Sequence, residues 1–171
     1  MLPFEQGGLD SLCGLYSIVN AERVINNTSN EESLELFNEV ISYLNKKRQL
    51  SGILIEGMYL KNVKTVLEKV VGDRVPYQRL PFAGKPNPDL DYFWKEIQYF
   101  LEESPHRAVI LSISGVHDHF TVIRSITDRQ MQLFDSDAWW RINRTNCTTT
   151  NQTKRRRHVL YPAQTYFLGR N

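Results

Sequence analysis

The chain has 171 residues, 41% of them apolar and 23% charged, with a formal net charge of +2. That length and composition predict a single globular domain over residues 1–171 with a core of its own, and exclude a disordered or fibrous chain. A charge so near zero gives no reason to expect a nucleic-acid partner, and the longest apolar runs, such as Ala108 to Leu111, are too short to span a bilayer.

Residues 6–26 open with a polar, glycine-rich lead-in and continue as an apolar run at helical spacing: Leu12, Leu15, Tyr16, Val19 and Val24. The spacing predicts a helix over about 11–26, with Asp10 or Ser11 as its N-cap. Cys13 then stands in the first turn, where the helix dipole and free N–H groups favour an anion such as a thiolate. Gly7 and Gly8 leave room for the backbone to bring Gln6 near the sulfur. A second helix over about 31–48 begins with acids and ends with bases, and carries a stripe of Leu34, Phe37, Val40, Ile41 and Leu44. A third, over about 59–71, stops at Gly72. Residues 74–80 read as a short strand and 81–88, with three prolines and Gly84, as a loop. A fourth helix covers 89–103, with Phe93, Trp94, Ile97, Phe100 and Leu101 inward.

The period then changes. Residues 107–114 predict a strand buried on both faces, and 119–126 an alternating one. A hairpin turn at 127–130 leads into a strand over 131–134. The polar stretch 143–157 ends in the basic run Lys154 to Arg157, a solvated loop tip or a lure for an acidic protein or nucleic acid. Residues 158–168 read as a closing strand. Helices first and strands afterwards predict an α+β fold with an antiparallel sheet.

His119 opens one strand of the hairpin and Asp135 closes the next, which brings the two side by side. A carboxylate there fixes the imidazole tautomer and stabilises its charged form. An imidazolium beside Cys13 stabilises a thiolate nucleophile, and Gln6 with the Cys13 backbone N–H offers two donors to an oxyanion. Trp139 or Trp140, just after Asp135, is placed to shield the pair from water.

The pattern resembles the papain-like cysteine peptidases. It is carried by Gln6, by Asp10-Ser-Leu-Cys13-Gly14 opening a helix, by His119-Phe-Thr-Val-Ile123 opening a strand and by Leu133-Phe-Asp135 ending one. Within that fold it is most similar to the bacteriocin-leader-processing (double-glycine) peptidases and their stand-alone relatives. The resemblance implies an N-terminal helical half, carrying the nucleophile helix, packed on a C-terminal antiparallel sheet. It also implies Cys13 as nucleophile, His119 as general base, Asp135 as orienting acid and Gln6 as oxyanion donor. The implied activity is cleavage of a peptide or protein amide after a small residue such as Gly, with no cofactor.

Other readings compete. Cys13 alone is a small core residue, His119 a hydrogen-bonded structural histidine and Asp135 a turn residue. His117-Asp-His119 is a weak metal pattern without further ligands, and no metal is expected. Cys147, in a Thr/Asn-rich loop, is expected to be exposed, and His106 and His158 incidental. Two cysteines in such different contexts make neither a disulfide framework nor a zinc site. With no secretory signal apparent at the N-terminus, a reducing cytoplasm is the expected setting. The same residues also suit a deamidase or acyltransferase effector. A degenerate protein-binding module, with the basic run as a docking edge, is the non-enzymatic rival. The apolar stripes specify no oligomeric state.

Overall fold

A computed structural model describes residues 1–7 and 10–170. Five α-helices and an eight-stranded sheet make up the described chain. The helices are α1 (Cys13–Asn26), α2 (Asn30–Lys46), α3 (Leu50–Glu56), α4 (Leu60–Val66) and α5 (Leu90–Glu102). Helix α4 runs on through a π turn over Leu67–Val71 and a 3-10 turn over Gly72–Arg74. The strands are β1 (Tyr77–Arg79), β2 (Arg107–Ser114), β3 (His119–Ile126), β4 (Gln130–Leu133), β5 (Arg141–Asn143), β6 (Cys147–Thr148), β7 (His158–Leu160) and β8 (Tyr166–Gly169). Their spatial order is β1-β8-β2-β3-β4-β5, with β7 paired to β2 beyond the end of β8. Every pairing is antiparallel except that of β6 with β7. Among the described residues no helix is long and apolar enough to cross a membrane.

Strand alternation divides the core in two. Ala108 and Ile110 of β2 and Phe120 and Val122 of β3 face α1, α2 and α4, packing on Leu15, Ile18, Leu36, Val40, Val63 and Val66. Val109, Leu111, Ile113 and Ile123 face the opposite way, onto Phe93, Trp94 and Ile97 of α5. This is why residues 107–114 lack alternation: both faces of β2 are buried. Each of these fully buried side chains stabilises the fold by about 1.5–3 kcal/mol before conformational entropy is set against it.

Several elements differ from the sequence expectation. Helix α2 starts at a capping box in which Ser29 Oγ accepts from Glu32 N and Glu32 accepts from Ser29 N. Its buried face is Ser33, Leu36, Val40 and Leu44, and Leu34 lies 56% exposed, so the predicted stripe is rotated. Helix α3 was unanticipated, since only Ile53 of its seven residues is buried. The single closing strand is two, β7 and β8, parted by a 3-10 turn that begins at Pro162. Strand β5 lies just ahead of the Thr/Asn-rich stretch, which itself contributes β6, and Cys147 is a core residue at 0% exposure rather than an exposed loop residue. Its thiol donates to Asn143 O at 3.4 Å, and burial pushes its pKa up to about 12.

Candidate active site

Helix α1 is fixed over the beginning of β3. Ser17 Oγ, one turn beyond Cys13, donates to the Phe120 carbonyl at 2.7 Å, a buried bond between segments 103 residues apart. Cys13 is the first residue of the helix, and the preceding Leu12 offers no side-chain cap. Asp10 and Ser11, the expected caps, are turned elsewhere. Asp10 accepts from Leu12 N at 3.1 Å and Gly7 N at 3.0 Å, which shapes the lead-in, and Ser11 Oγ donates to Ile55 O at 3.2 Å. The first N–H groups of α1, that of Cys13 among them, therefore have no side-chain acceptor within the helix start. Gly14 is required next: a Cβ there would lie 2.9 Å from Met58 Cβ. This close approach lets the Glu56–Tyr59 turn form one wall of a cleft in front of Cys13.

His119 opens β3, opposite Ile113 of β2, and Asp135 follows the end of β4. Phe134 N donates to Val122 O at 2.8 Å, which carries the pairing to the residue before Asp135. His119 Nε2 and Asp135 Oδ2 are 2.8 Å apart, both side chains are buried, and the two residues are sixteen positions apart in sequence. The other carboxylate oxygen, Oδ1, accepts from Asp137 N at 2.8 Å and Trp139 N at 3.4 Å. This tight turn holds Ala138 in the left-handed region, φ 56°, a conformation that costs a non-glycine residue roughly 1–2 kcal/mol. The turn delivers Trp139 against His119, with ring centroids 5.7 Å apart. The same indole packs on His117 at 5.7 Å and on His158 at 5.8 Å. Trp140 points away and is 62% exposed.

Burial works against a charged imidazole at His119, but it is outweighed. The hydrogen bond and negative charge of Asp135, with a further contribution from the neighbouring Cys13, raise its pKa from 6.5 to about 10. Burial likewise opposes the Asp135 carboxylate, and the bond and charge of His119 together with the Asp137 N–H bring its pKa below the usual value. With Nε2 committed to Asp135, Nδ1 is the ring nitrogen left to face the sulfur. At His158 burial lowers the pKa, and the charges of Arg157 and His117 add to the effect.

Gln6 reaches the same place from the N-terminal segment. Phe4 and Asn20 exchange two hydrogen bonds, at 2.9 and 3.0 Å, which lay this segment along α1. Gln6 N then donates to Ser136 O at 2.9 Å, next to Asp135. The Gln6 side chain lines the cleft, and its Oε1 is buried with no hydrogen-bond partner among the described residues. Gly8, expected to assist this approach, lies outside the described residues.

Cys13, His119 and Gln6 thus share one cleft of about 850 Å³. Sequence reasoning missed the contribution of Glu56 to Tyr59 and of Ser112, Tyr161 and Gln164 to the cleft lining. Gly57, at φ 82°, was the one available signal of a turn there. A thiol, an imidazole oriented by a carboxylate and unspent helix N–H groups are the parts required for nucleophilic attack on a carbonyl carbon. Comparison of the chain with protein-family models, with curated proteins and with solved structures finds no match.

Proposed function

We propose that this chain is a papain-like cysteine peptidase, of the kind that the bacteriocin-leader-processing peptidases exemplify. The observation that carries the reading is the buried 2.8 Å His119–Asp135 pair, whose imidazole lines the same cleft as Cys13 at the start of α1. The Cys13 thiolate attacks the carbonyl carbon of an amide, and the C=O electron pair moves onto oxygen. That oxyanion accepts hydrogen bonds from the Cys13 N–H and the Gln6 side-chain amide. As the C–N bond breaks, the His119 imidazolium gives its proton to the leaving amine. Water then attacks the thioester while His119 takes its proton; the acid leaves and the thiolate–imidazolium pair is restored. Asp135 holds the imidazole in the Nδ1-toward-sulfur orientation throughout. No cofactor takes part.

The test is iodoacetamide alkylation followed by intact mass between pH 5 and 9, in the native protein and in His119→Ala. Cys13 should react at pH 6–7 faster than free cysteine, and the substitution should remove that advantage. Cys147, buried in the core, should stay unmodified in both. Alkylation of Cys13 only after unfolding overturns the reading.

A further inference from the structure

The chain as a whole is slightly positive, yet its cleft is not. Four carboxylates, Asp10, Glu56, Asp118 and Asp137, line it against the ammonium of Lys61 and the imidazolium of His119, which Asp135 already pairs. The four carboxylates come from both walls. Glu56 ends α3 on the helical side, and Asp118 and Asp137 stand in the two loops that flank His119 and Asp135 on the sheet side. Asp10 is occupied with the lead-in backbone. Among the described residues Glu56, Asp118 and Asp137 form no salt bridge, and all three are exposed. Tyr59 is 65% exposed and its hydroxyl lies 3.5 Å from Glu56 Oε2, so an exposed aromatic side chain and a carboxylate share this part of the cleft. Among the described residues no arginine lines the cleft; Arg129, Arg144 and Arg156 line a separate depression beside α5, together with Asp91 and Asp128.

We infer that the cleft selects a basic peptide segment, carrying lysine or arginine close to the bond presented to Cys13. The inference rests on the peptidase reading and adds its substrate class. Carboxylates on both walls of a cleft concentrate cations and repel anions there. A lysine or arginine side chain lays its methylenes on an aromatic ring and its charge on a carboxylate, which is what the Tyr59–Glu56 pair offers. An acidic segment in the same place would set its carboxylates against Glu56, Asp118 and Asp137, three carboxylates to the one ammonium of Lys61.

Charged thiol reagents test this without knowledge of the substrate. Two methanethiosulfonates of like reactivity, one bearing trimethylammonium and one sulfonate, are reacted with Cys13 at low ionic strength, and their rate ratio is divided by that for free cysteine. The cationic reagent should be favoured at least about tenfold, and 0.5 M salt should collapse the preference because the carboxylates are solvent-exposed. The combined variant Glu56→Gln/Asp118→Asn/Asp137→Asn should bring the ratio toward that of free cysteine, and Lys61→Glu should raise it. A native ratio equal to that of free cysteine, with His119-dependent iodoacetamide labelling intact, overturns the inference and leaves the peptidase reading standing. A Cys13 that resists every reagent until unfolding overturns both.

Discussion

Asp135→Asn replaces one atom and removes a charge. Both carboxylate oxygens are in use as acceptors, Oδ2 from His119 and Oδ1 from the N–H groups of Asp137 and Trp139. An amide has one acceptor and one donor, so it cannot serve both sides. If its oxygen stays with the backbone N–H groups, its NH2 faces His119 Nε2. The imidazole must then accept there, carry its proton on Nδ1 and remain neutral. If its oxygen turns to His119, the NH2 opposes two backbone donors, an unsatisfied arrangement that costs about 1–3 kcal/mol. Either way the support that raises the His119 pKa to about 10 is reduced. The expected loss of stability at pH 7 is about 2–4 kcal/mol, below the ~3–5 kcal/mol expected when one partner of a buried pair is deleted outright, as in Asp135→Ala. For a chain of this size each kcal/mol moves Tm by roughly 2–4 °C. Cys13 alkylation at pH 6.5 should fall by about 10–100-fold, since a neutral imidazole no longer supports the thiolate. The assays are thermal melts and iodoacetamide rates from pH 5 to 9. A variant with the native Tm and native alkylation at every pH would refute the argument that the pair acts as a unit.

The direction of the pKa shifts sets a pH profile for stability. A raised His119 pKa contributes stability that is complete below about pH 6.5 and lost as pH rises through about 10. A lowered Asp135 pKa contributes above the ordinary carboxylate range and is lost as pH falls through its folded value. The denaturation midpoint of the native protein minus that of Asp135→Asn should therefore be greatest near pH 4–6.5 and shrink toward pH 10; a difference that grows above pH 7 contradicts the assignment. Two glycines should respond with opposite sign. A Cβ on Gly115, at φ 102°, would overlap the Arg157 carbonyl oxygen, so Gly115→Ala should cost about 2 kcal/mol or more. A Cβ on Gly52, inside exposed α3, meets nothing within 4 Å, so Gly52→Ala should stabilise by about 0.5–1 kcal/mol in the same denaturation assay.

What was legible in the sequence was what burial writes into it. Strands β2 and β3 were expected at their observed limits, although β3, read as alternating, is buried on both faces over its first five residues. Helix α5 differs from expectation by one residue at each end, since Asp89 caps it by accepting from Tyr92 N and its four buried aromatic and aliphatic residues keep strict spacing. Periodicity failed where an element buries little. Helix α3 exposes Leu54 and Ile55 and contains Gly52, so no stripe marks it. Strands β5 and β6 are held by Ile142 and Cys147 within a run of Thr, Asn and Arg that looks like a loop. In α2 the two leucine-containing registers, through Leu34 and through Leu36, are both apolar, and the structure buries the one through Leu36.

The candidate site was legible as a set of residue types and opaque as an assembly, because the contacts that build it are polar and long-range. Cys13 is positioned by Ser17 on Phe120, by Ser11 on Ile55 and by Gly14 against Met58. Gln6 is positioned by Asn20 on Phe4 and by its own N–H on Ser136. Asp135 is positioned by the strained turn through Ala138. None of these bonds leaves a periodic trace, and each contributes only about 0.5–1.5 kcal/mol net. Their effect on the site is larger than their effect on the fold. Hydrophobic burial on both sides of the sheet holds the elements together, and these few bonds decide whether sulfur, imidazole and amide meet within hydrogen-bond reach. Substitutions that remove one pin while sparing the core, such as Ser17→Ala, act mainly on Cys13 reactivity, because a nucleophile displaced by an ångström loses far more rate than the protein loses stability.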